Sequence, residues 1–256
     1  MLQKRVIPVL LLQGQTLTKT CKFKTGKYVG DPINAIRIFN EKEVDELVLL
    51  DIGAGKTRCE PNFEMIKNIA GECFMPLAYG GGVTTMRQCE KIFSLGVEKI
   101  CFNTALFENP QLIKEAVARF GSQSIIGSLD YAKDFWGKNV IYTHGGSKKT
   151  SYNLNNVLPY LEDLGIGELI LNSIDRDGVM EGYDLKAIEQ TAGALNIPVI
   201  ACGGASSLED FRKAANVGAS AVAAGAMFVF HGRHRAVLIT YPEYAKLREV
   251  FQENRN

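Results

Sequence analysis

Glu46-Leu47-Val48-Leu49-Leu50 recurs at a fixed distance as Glu168-Leu169-Ile170-Leu171-Asn172, an offset of 122 positions (168 − 46). Short, nearly continuous apolar runs of this kind suit parallel strands buried on both faces. The same offset carries Pro76 to Pro198, Gly81-Gly82 to Gly203-Gly204 and Gly96 to Gly218. Unrelated segments do not hold a strand, a proline, a glycine pair and a later glycine in register. The chain therefore reads as two similar halves, roughly 1–122 and 123–256, within a single domain spanning 1–256.

Outward from that repeat, apolar runs lie at 6–12, 46–52, 75–79, 99–102, 124–129, 168–173, 198–201 and 221–224. Between them, 61–71, 86–95, 110–120, 185–195 and 208–217 carry helical spacing, with Asn109-Pro110 and Ser207-Leu208 as start signals. Eight strand–helix units from two half-barrels predict an α/β protein of the (β/α)8 TIM-barrel class. Residues 135–150, with Gly137, Gly145-Gly146 and Lys148-Lys149, interrupt the pattern. They predict a hairpin or mobile loop over one barrel mouth.

A hydrophobic content of 46% against 22% charged residues suffices for a large core, and a net charge of +1 leaves no footprint for nucleic acid or an anionic membrane. No apolar run approaches the roughly 20 residues of a spanning helix. Basic residues precede the run at 6–12, as in a signal peptide, but polar Gln13-Gly14-Gln15-Thr16 follows where a small-residue cleavage site belongs. A buried first strand in a cytoplasmic protein is the better reading. Six scattered cysteines, with no C-x-x-C and no paired histidines, predict reduced core thiols and neither metal nor cofactor.

In such barrels the functional residues follow the strand C-termini. Gly80-Gly81-Gly82 and Asn103-Thr104-Ala105 follow two strands of the first half, and Cys202-Gly203-Gly204 and Gly225-Ala226 stand at the matching places of the second. Glycines there make tight turns, or they let backbone N–H groups approach a phosphate. Two matched copies favour the second use and predict a ligand with a phosphate at each end.

Leu47-Val48-Leu49-Leu50-Asp51, Tyr79-Gly80-Gly81-Gly82, Asn103-Thr104-Ala105, Ser173-Ile174-Asp175-Arg176-Asp177-Gly178 and Ala201-Cys202-Gly203-Gly204-Ala205 together resemble the cyclase subunit of imidazole glycerol phosphate synthase, over essentially the whole chain. The resemblance implies a (β/α)8 barrel with a glutaminase subunit docked at its bottom. Ammonia from that subunit is joined, at the top, to a bis-phosphorylated ribulosyl formimino intermediate, giving imidazole glycerol phosphate and an aminoimidazole nucleotide. It also implies a gate of four charged residues at the barrel base, matched here by Arg5, Glu46, Lys99 and Glu168; without the resemblance, such charges read as ion pairs closing a barrel floor. For the phosphorylated ligand it implies Lys19, Asp51, Gly82, Asn103, Thr104, Asp177, Gly178, Gly204, Gly225 and Ala226.

The two catalytic aspartates of that family follow the first and fifth strands. Asp130 fills one position, where the plainer reading is a turn cap, and Leu11 fills the other. Leucine neither donates nor accepts a proton, and Leu10, Leu12 and Gln13 supply no carboxylate. Gly225-Ala226 lacks a hydroxyl common at the second phosphate site, and Asn172 stands where threonine is usual. Lys19 also reads as a solvated lysine, His144, His231 and His234 have no acid partner at a meaningful spacing, and 231–235 reads as a solvated basic patch. Three functions stay open. One is an ammonia-delivering subunit that serves a sugar amidotransferase making an acetamidino from an acetamido sugar in surface-polysaccharide synthesis. The others are a genuine histidine-pathway cyclase and a non-catalytic scaffold activating the glutaminase.

Overall fold

The computed structural model describes residues 4–57 and 59–252; the start of the signal-like segment, Met1 to Gln3, lies outside the described residues. Eight parallel strands close on themselves: β1 (Arg5–Gln13), β2 (Leu47–Asp51), β3 (Leu77–Gly80), β4 (Lys99–Phe102), β5 (Ile125–Lys133), β6 (Glu168–Ser173), β7 (Val199–Cys202) and β8 (Ala221–Ala224). Closure runs through Val9↔Val48 between β1 and β2, Ile126↔Glu168 between β5 and β6, and Arg5↔Ala221 between β8 and β1. This is the (β/α)8 barrel that the repeat predicts.

Alternation along each strand divides the apolar residues into two clusters. Ile7, Val9, Val48, Ile126, Ile170 and Ile200 point inward and fill the barrel, while Val6, Leu10, Leu47, Leu49, Ile100 and Leu169 point outward under the helices. The helix starts repeat as faithfully as the strands. Thr85 and Gln88 form a capping box at helix Met86–Ser94, and Ser207 and Asp210 form its counterpart at Leu208–Asn216. Each box fixes where its helix begins relative to the glycine turn after β3 or β7.

Those turns depend on glycine. Gly81 and Gly82 have φ of 122° and 70°, and Gly203 and Gly204 have 85° and 119°. A Cβ at Gly81 would collide with the Asp51 carbonyl oxygen, and one at Gly204 with that of Gly182. Gly81→Ala or Gly204→Ala is therefore expected to lose about 3 kcal/mol or more. Gly71, inside helix Phe63–Glu72 with open space around it, is the control, and Gly71→Ala is expected to gain about 0.5–1 kcal/mol. Urea midpoints of the three variants check both signs.

Residues 135–150 form a hairpin in continuity with β5: Asn139–Thr143 pairs antiparallel with the end of β5, and Lys148–Asn153 pairs with it in turn. A second hairpin, Thr16–Lys19 with Lys27–Gly30, follows β1. Both rise at the C-terminal end of the barrel. Two of the six cysteines depart from the expected core positions, since Cys21 and Cys59 are exposed; all six are free thiols. No described helix is long and apolar enough to cross a membrane.

Candidate functional site: a closed floor and an open mouth

At the base, Arg5, Lys99 and Glu168 open β1, β4 and β6, and Glu46 immediately precedes β2. Inward-facing strand starts bring them into a single ring. Arg5 bonds Glu46 and, at 2.6 Å, Glu168, while Lys99 Nζ lies 3.0 Å from Glu46 Oε1 and 3.1 Å from Glu168 Oε2. Signs alternate round the ring, so each charge has two opposite neighbours. Glu46 is 2% exposed and Arg5 28%, which makes this a floor facing solvent on one side only. Burial pulls the Arg5 guanidinium down, but the hydrogen bond to Glu168 and the charge of Glu46 outweigh it and hold it above its ordinary value. Above the ring comes the apolar interior, and above that a cavity of ≈ 400 Å³ walled by residues that follow the strands.

Leu11 and Leu50 are register partners on β1 and β2, and both line the cavity. Across the barrel, on β5, Asp130 enters the same space. Asp130 is buried and caps no turn: its Oδ1 accepts from Asn172 Nδ2 at 3.1 Å. Burial raises its carboxyl to about 7, with the Asn172 bond pulling down and the charge of Asp177 pushing up. The Asn172 Oδ1 atom is buried and has no hydrogen-bond partner, and Asn172 lines the cavity. Asp51 Oδ1 accepts from the Ala54 N–H at 2.9 Å, yet burial leaves its carboxyl above the usual range. Cys101 and Cys202 also line the mouth, where burial pushes both thiols up to about 12 and keeps them protonated.

Lys19 is 6% exposed, not solvated. Its ammonium meets Asp177 Oδ1 at 2.6 Å and the Thr20 carbonyl at 3.1 Å, and Thr20 Oγ1 donates to Asp177 Oδ2 at 3.1 Å. These bonds tie the hairpin after β1 to the loop after β6, where Gly178 leaves room for the Thr20 carbonyl. Gly82, Gly204, Asn103, Thr104, Gly225 and Ala226 all line the cavity. Short helices Thr104–Glu108 and Ala226–Val229 begin there from the same backbone geometry, φ −116° and ψ −77° at Asn103 against −110° and −67° at Gly225. Neither start carries a side-chain cap, so backbone N–H groups remain as donors toward the mouth.

A model of the histidine biosynthesis protein family matches residues 5–235. The chain belongs to that family. Within it, the chain is 54% identical over 251 residues to a Pseudomonas aeruginosa protein provisionally named imidazole glycerol phosphate synthase subunit hisF2, covering 96% of this chain and 99% of the relative. It is 46% identical to a Vibrio vulnificus protein provisionally named subunit hisF3, over 98% of each. Against the Petrotoga mobilis imidazole glycerol phosphate synthase subunit HisF it is 38% identical, over 89% of this chain and 91% of the relative. The chain is thus a HisF-like synthase subunit.

The HisF-like mouth holds one group that spacing along the chain missed. His144 lines the cavity and its Nε2 lies 3.6 Å from Glu108 Oε1, an acid partner 36 positions away (144 − 108). Only the fold brings the hairpin over the helix after β4. In the 231–235 patch, residues 231–234 are exposed, as expected, and Arg235 alone is held, since Lys27 Nζ donates to its carbonyl at 2.7 Å and its Nη2 donates to the Val179 carbonyl at 3.1 Å. Among the described residues, no group of three or more His, Cys, Asp or Glu side chains is arranged to hold a metal ion.

Asp130 gives a pH prediction with a definite sign. Its value rises on folding, from the ordinary 3.8 to about 7, so folding disfavours the ionised form. The contribution of Asp130 to stability then falls as pH rises from about 4 to about 7 and is level above. Asp130→Asn is expected to remove that slope and to raise the unfolding midpoint at about pH 8. Denaturant midpoints of both proteins across that range check it; an unchanged slope contradicts it.

Proposed function

We propose that this chain is the synthase-side subunit of a two-chain glutamine amidotransferase that carries ammonia through its barrel instead of closing an imidazole ring. A glutaminase docks on the bottom face, and its ammonia passes the ring of Arg5, Glu46, Lys99 and Glu168. Ammonia travels as the neutral base, which an apolar bore lined by Ile7, Val9, Val48 and Ile170 accepts and bulk water would protonate. At the mouth it meets an acceptor, which we read as an acetamido sugar held by a sugar amidotransferase of surface-polysaccharide synthesis. The greater similarity to the Pseudomonas and Vibrio relatives, whose names as synthase subunits are provisional, than to the Petrotoga subunit is consistent with a branch apart from histidine synthesis.

The observation that carries this reading is Leu11. It faces the mouth beside Leu50, at the place where the family's ring closure needs a carboxylate opposite Asp130. General acid–base groups contribute about 10²–10⁴-fold each, so ring closure with Asp130 alone is slow. Lys19, Asp177 and the glycine turns remain and suit a polar or phosphorylated ligand at the mouth.

The test mixes the purified chain with the family's ribulosyl formimino substrate and excess ammonium salt at mildly alkaline pH, so that no glutaminase is needed. The expected result is substrate loss at the background rate. Turnover like that of an ordinary cyclase would overturn the reading in favour of the histidine pathway. If ammonia delivery fails too, and the chain only raises glutaminase activity, the scaffold role is what remains.

A further inference from the structure

The hairpin after β5 turns through Asp134-Phe135-Trp136-Gly137-Lys138, which leaves Phe135 93% exposed and Trp136, the only tryptophan of the chain, 86% exposed. No described large hydrophobic residue is more exposed than Phe135. The turn is built to hold both rings in place. Asp134 Oδ1 accepts from the Trp136 N–H at 3.0 Å and from the Lys138 N–H at 2.9 Å, and the Asp134 N–H donates to the Lys138 carbonyl at 2.9 Å. Gly137 closes the turn at φ of +76°, and the rings pack edge to face with centroids 5.4 Å apart. The stem below is anchored to the loop after β6. There the Lys133 N–H donates to Asp175 Oδ2 at 2.8 Å, and the Ile174 N–H donates to the Tyr131 carbonyl at 2.8 Å.

Neither ring is needed to make a hairpin. The one after β1 turns through exposed Gly14 and Gln15, with no aromatic residue. An exposed apolar pair on a preorganised turn marks a contact surface instead. Phe and Trp bury about 150–250 Å² each when covered, so the tip alone supplies roughly half of the ~800 Å² per partner of a standard interface. Charge narrows what covers it. Residues 133–150 hold Lys133, Lys138, Lys148 and Lys149 against one acid, Asp134, a balance of +3 (4 − 1), whereas the whole chain carries +1. Lys133 and Lys138 flank the rings, and their ammonium groups have no partner among the described residues. A second copy offering the same positive tip is repelled, whereas an acidic protein face fits. A bilayer surface calls for a broad apolar face, and at this rim Thr84, Asn109 and Glu181 are exposed and polar.

We propose that Phe135 and Trp136 are the anchor on which the acceptor-holding protein docks at the barrel mouth, seated in an apolar pocket of that protein whose rim carboxylates meet Lys133 and Lys138. Docking there brings the partner's site over the cavity, since His144 and Gly145 of the same hairpin line it. Ammonia leaving the barrel then meets its acceptor before it meets bulk water. The inference rests on the reading of this chain as an ammonia-delivering subunit, and it names the surface and the chemistry by which the third protein is held.

Fluorine NMR of the full chain, with fluorotryptophan in place of its single tryptophan, reads the tip directly. Adding the sugar amidotransferase is expected to shift and broaden the Trp136 resonance. Adding the glutaminase, which docks at the base, is expected to leave it unmoved, as are vesicles of phosphatidylglycerol and phosphatidylethanolamine or a rise in chain concentration. A shift with vesicles would assign the tip to a membrane, and a shift with concentration to a second copy; either overturns the proposal. In calorimetric titration, Phe135→Ser combined with Trp136→Ser is expected to bind the amidotransferase about 100-fold more weakly, with an unchanged melting temperature. Lys133→Glu combined with Lys138→Glu is expected to bind about tenfold more weakly, with a flatter salt dependence. Undiminished binding by the first double variant would overturn the anchor. A resonance that moves while the product nitrogen comes from bulk ammonium would keep the docking surface and refute delivery through the barrel. A resonance that stays still while the product nitrogen comes from glutamine would do the reverse.

Discussion

Leu11→Asp is expected to acquire ring-closing turnover with the formimino substrate and ammonium salt, at least about 10²-fold above the unaltered chain. Leu11 already points into the cavity from β1, level with Leu50, and Asp130 faces the same space from β5. Nothing in the backbone has to move for a carboxylate to enter. That carboxylate would sit against Val9 and Leu50, in an apolar wall that favours its neutral form, as burial does for Asp130. The gain should therefore depend on pH, with the introduced group and Asp130 titrating as a coupled pair. A stability loss of about 1–3 kcal/mol is expected alongside, because the new group is partly desolvated. If the variant folds and still shows no turnover, the loss of cyclisation has another cause than Leu11.

Glu46→Gln is expected to have a large effect on stability, a loss of about 3 kcal/mol read from the denaturant midpoint. Glu46 is the most buried member of the floor ring and bonds both Arg5 and Lys99. Neutralising it leaves two cations sharing Glu168 alone, on a floor only partly open to water. Removing one partner of a buried pair costs more than the pair contributes, since the remaining charge stays desolvated. Lys99→Met leaves Arg5 between two glutamates and is expected to cost less. In a complex with the glutaminase, both variants should release ammonia to solvent instead of passing it upward. Unchanged coupling in both would reduce the ring to a structural floor.

Much of this architecture is legible along the chain because it rests on local signals. The repeated strands and glycine pairs, and the helix starts at Asn109 and Ser207, depend on residues within a few positions of one another. Leu11 and Asp130 are legible only through the family resemblance, which implies a catalytic position after the first strand and another after the fifth. Lys19 is not, because its burial comes from Asp177, 158 positions away. His144 escapes notice since its partner, Glu108, approaches only when the hairpin after β5 folds over the end of β4. Nor does spacing reveal that β5 runs on past Leu129 to Lys133, since a polar extension in a hairpin lacks the apolar run that marks the buried part. Pairings across the mouth are a property of the closed barrel, and the strand pattern alone does not specify them.

In the function proposed above, ammonia reaches its acceptor through the barrel. The most direct measurement supplies the complex of chain, glutaminase and sugar amidotransferase with glutamine labelled with nitrogen-15 in its amide, in excess unlabelled ammonium at mildly alkaline pH. The nitrogen-15 fraction of the amidated product is then read by mass spectrometry. With the intact chain, product nitrogen is expected to come overwhelmingly from glutamine, and with Lys99→Met to be diluted toward the bulk ammonium ratio. A product that carries the bulk ratio with the intact chain would contradict it.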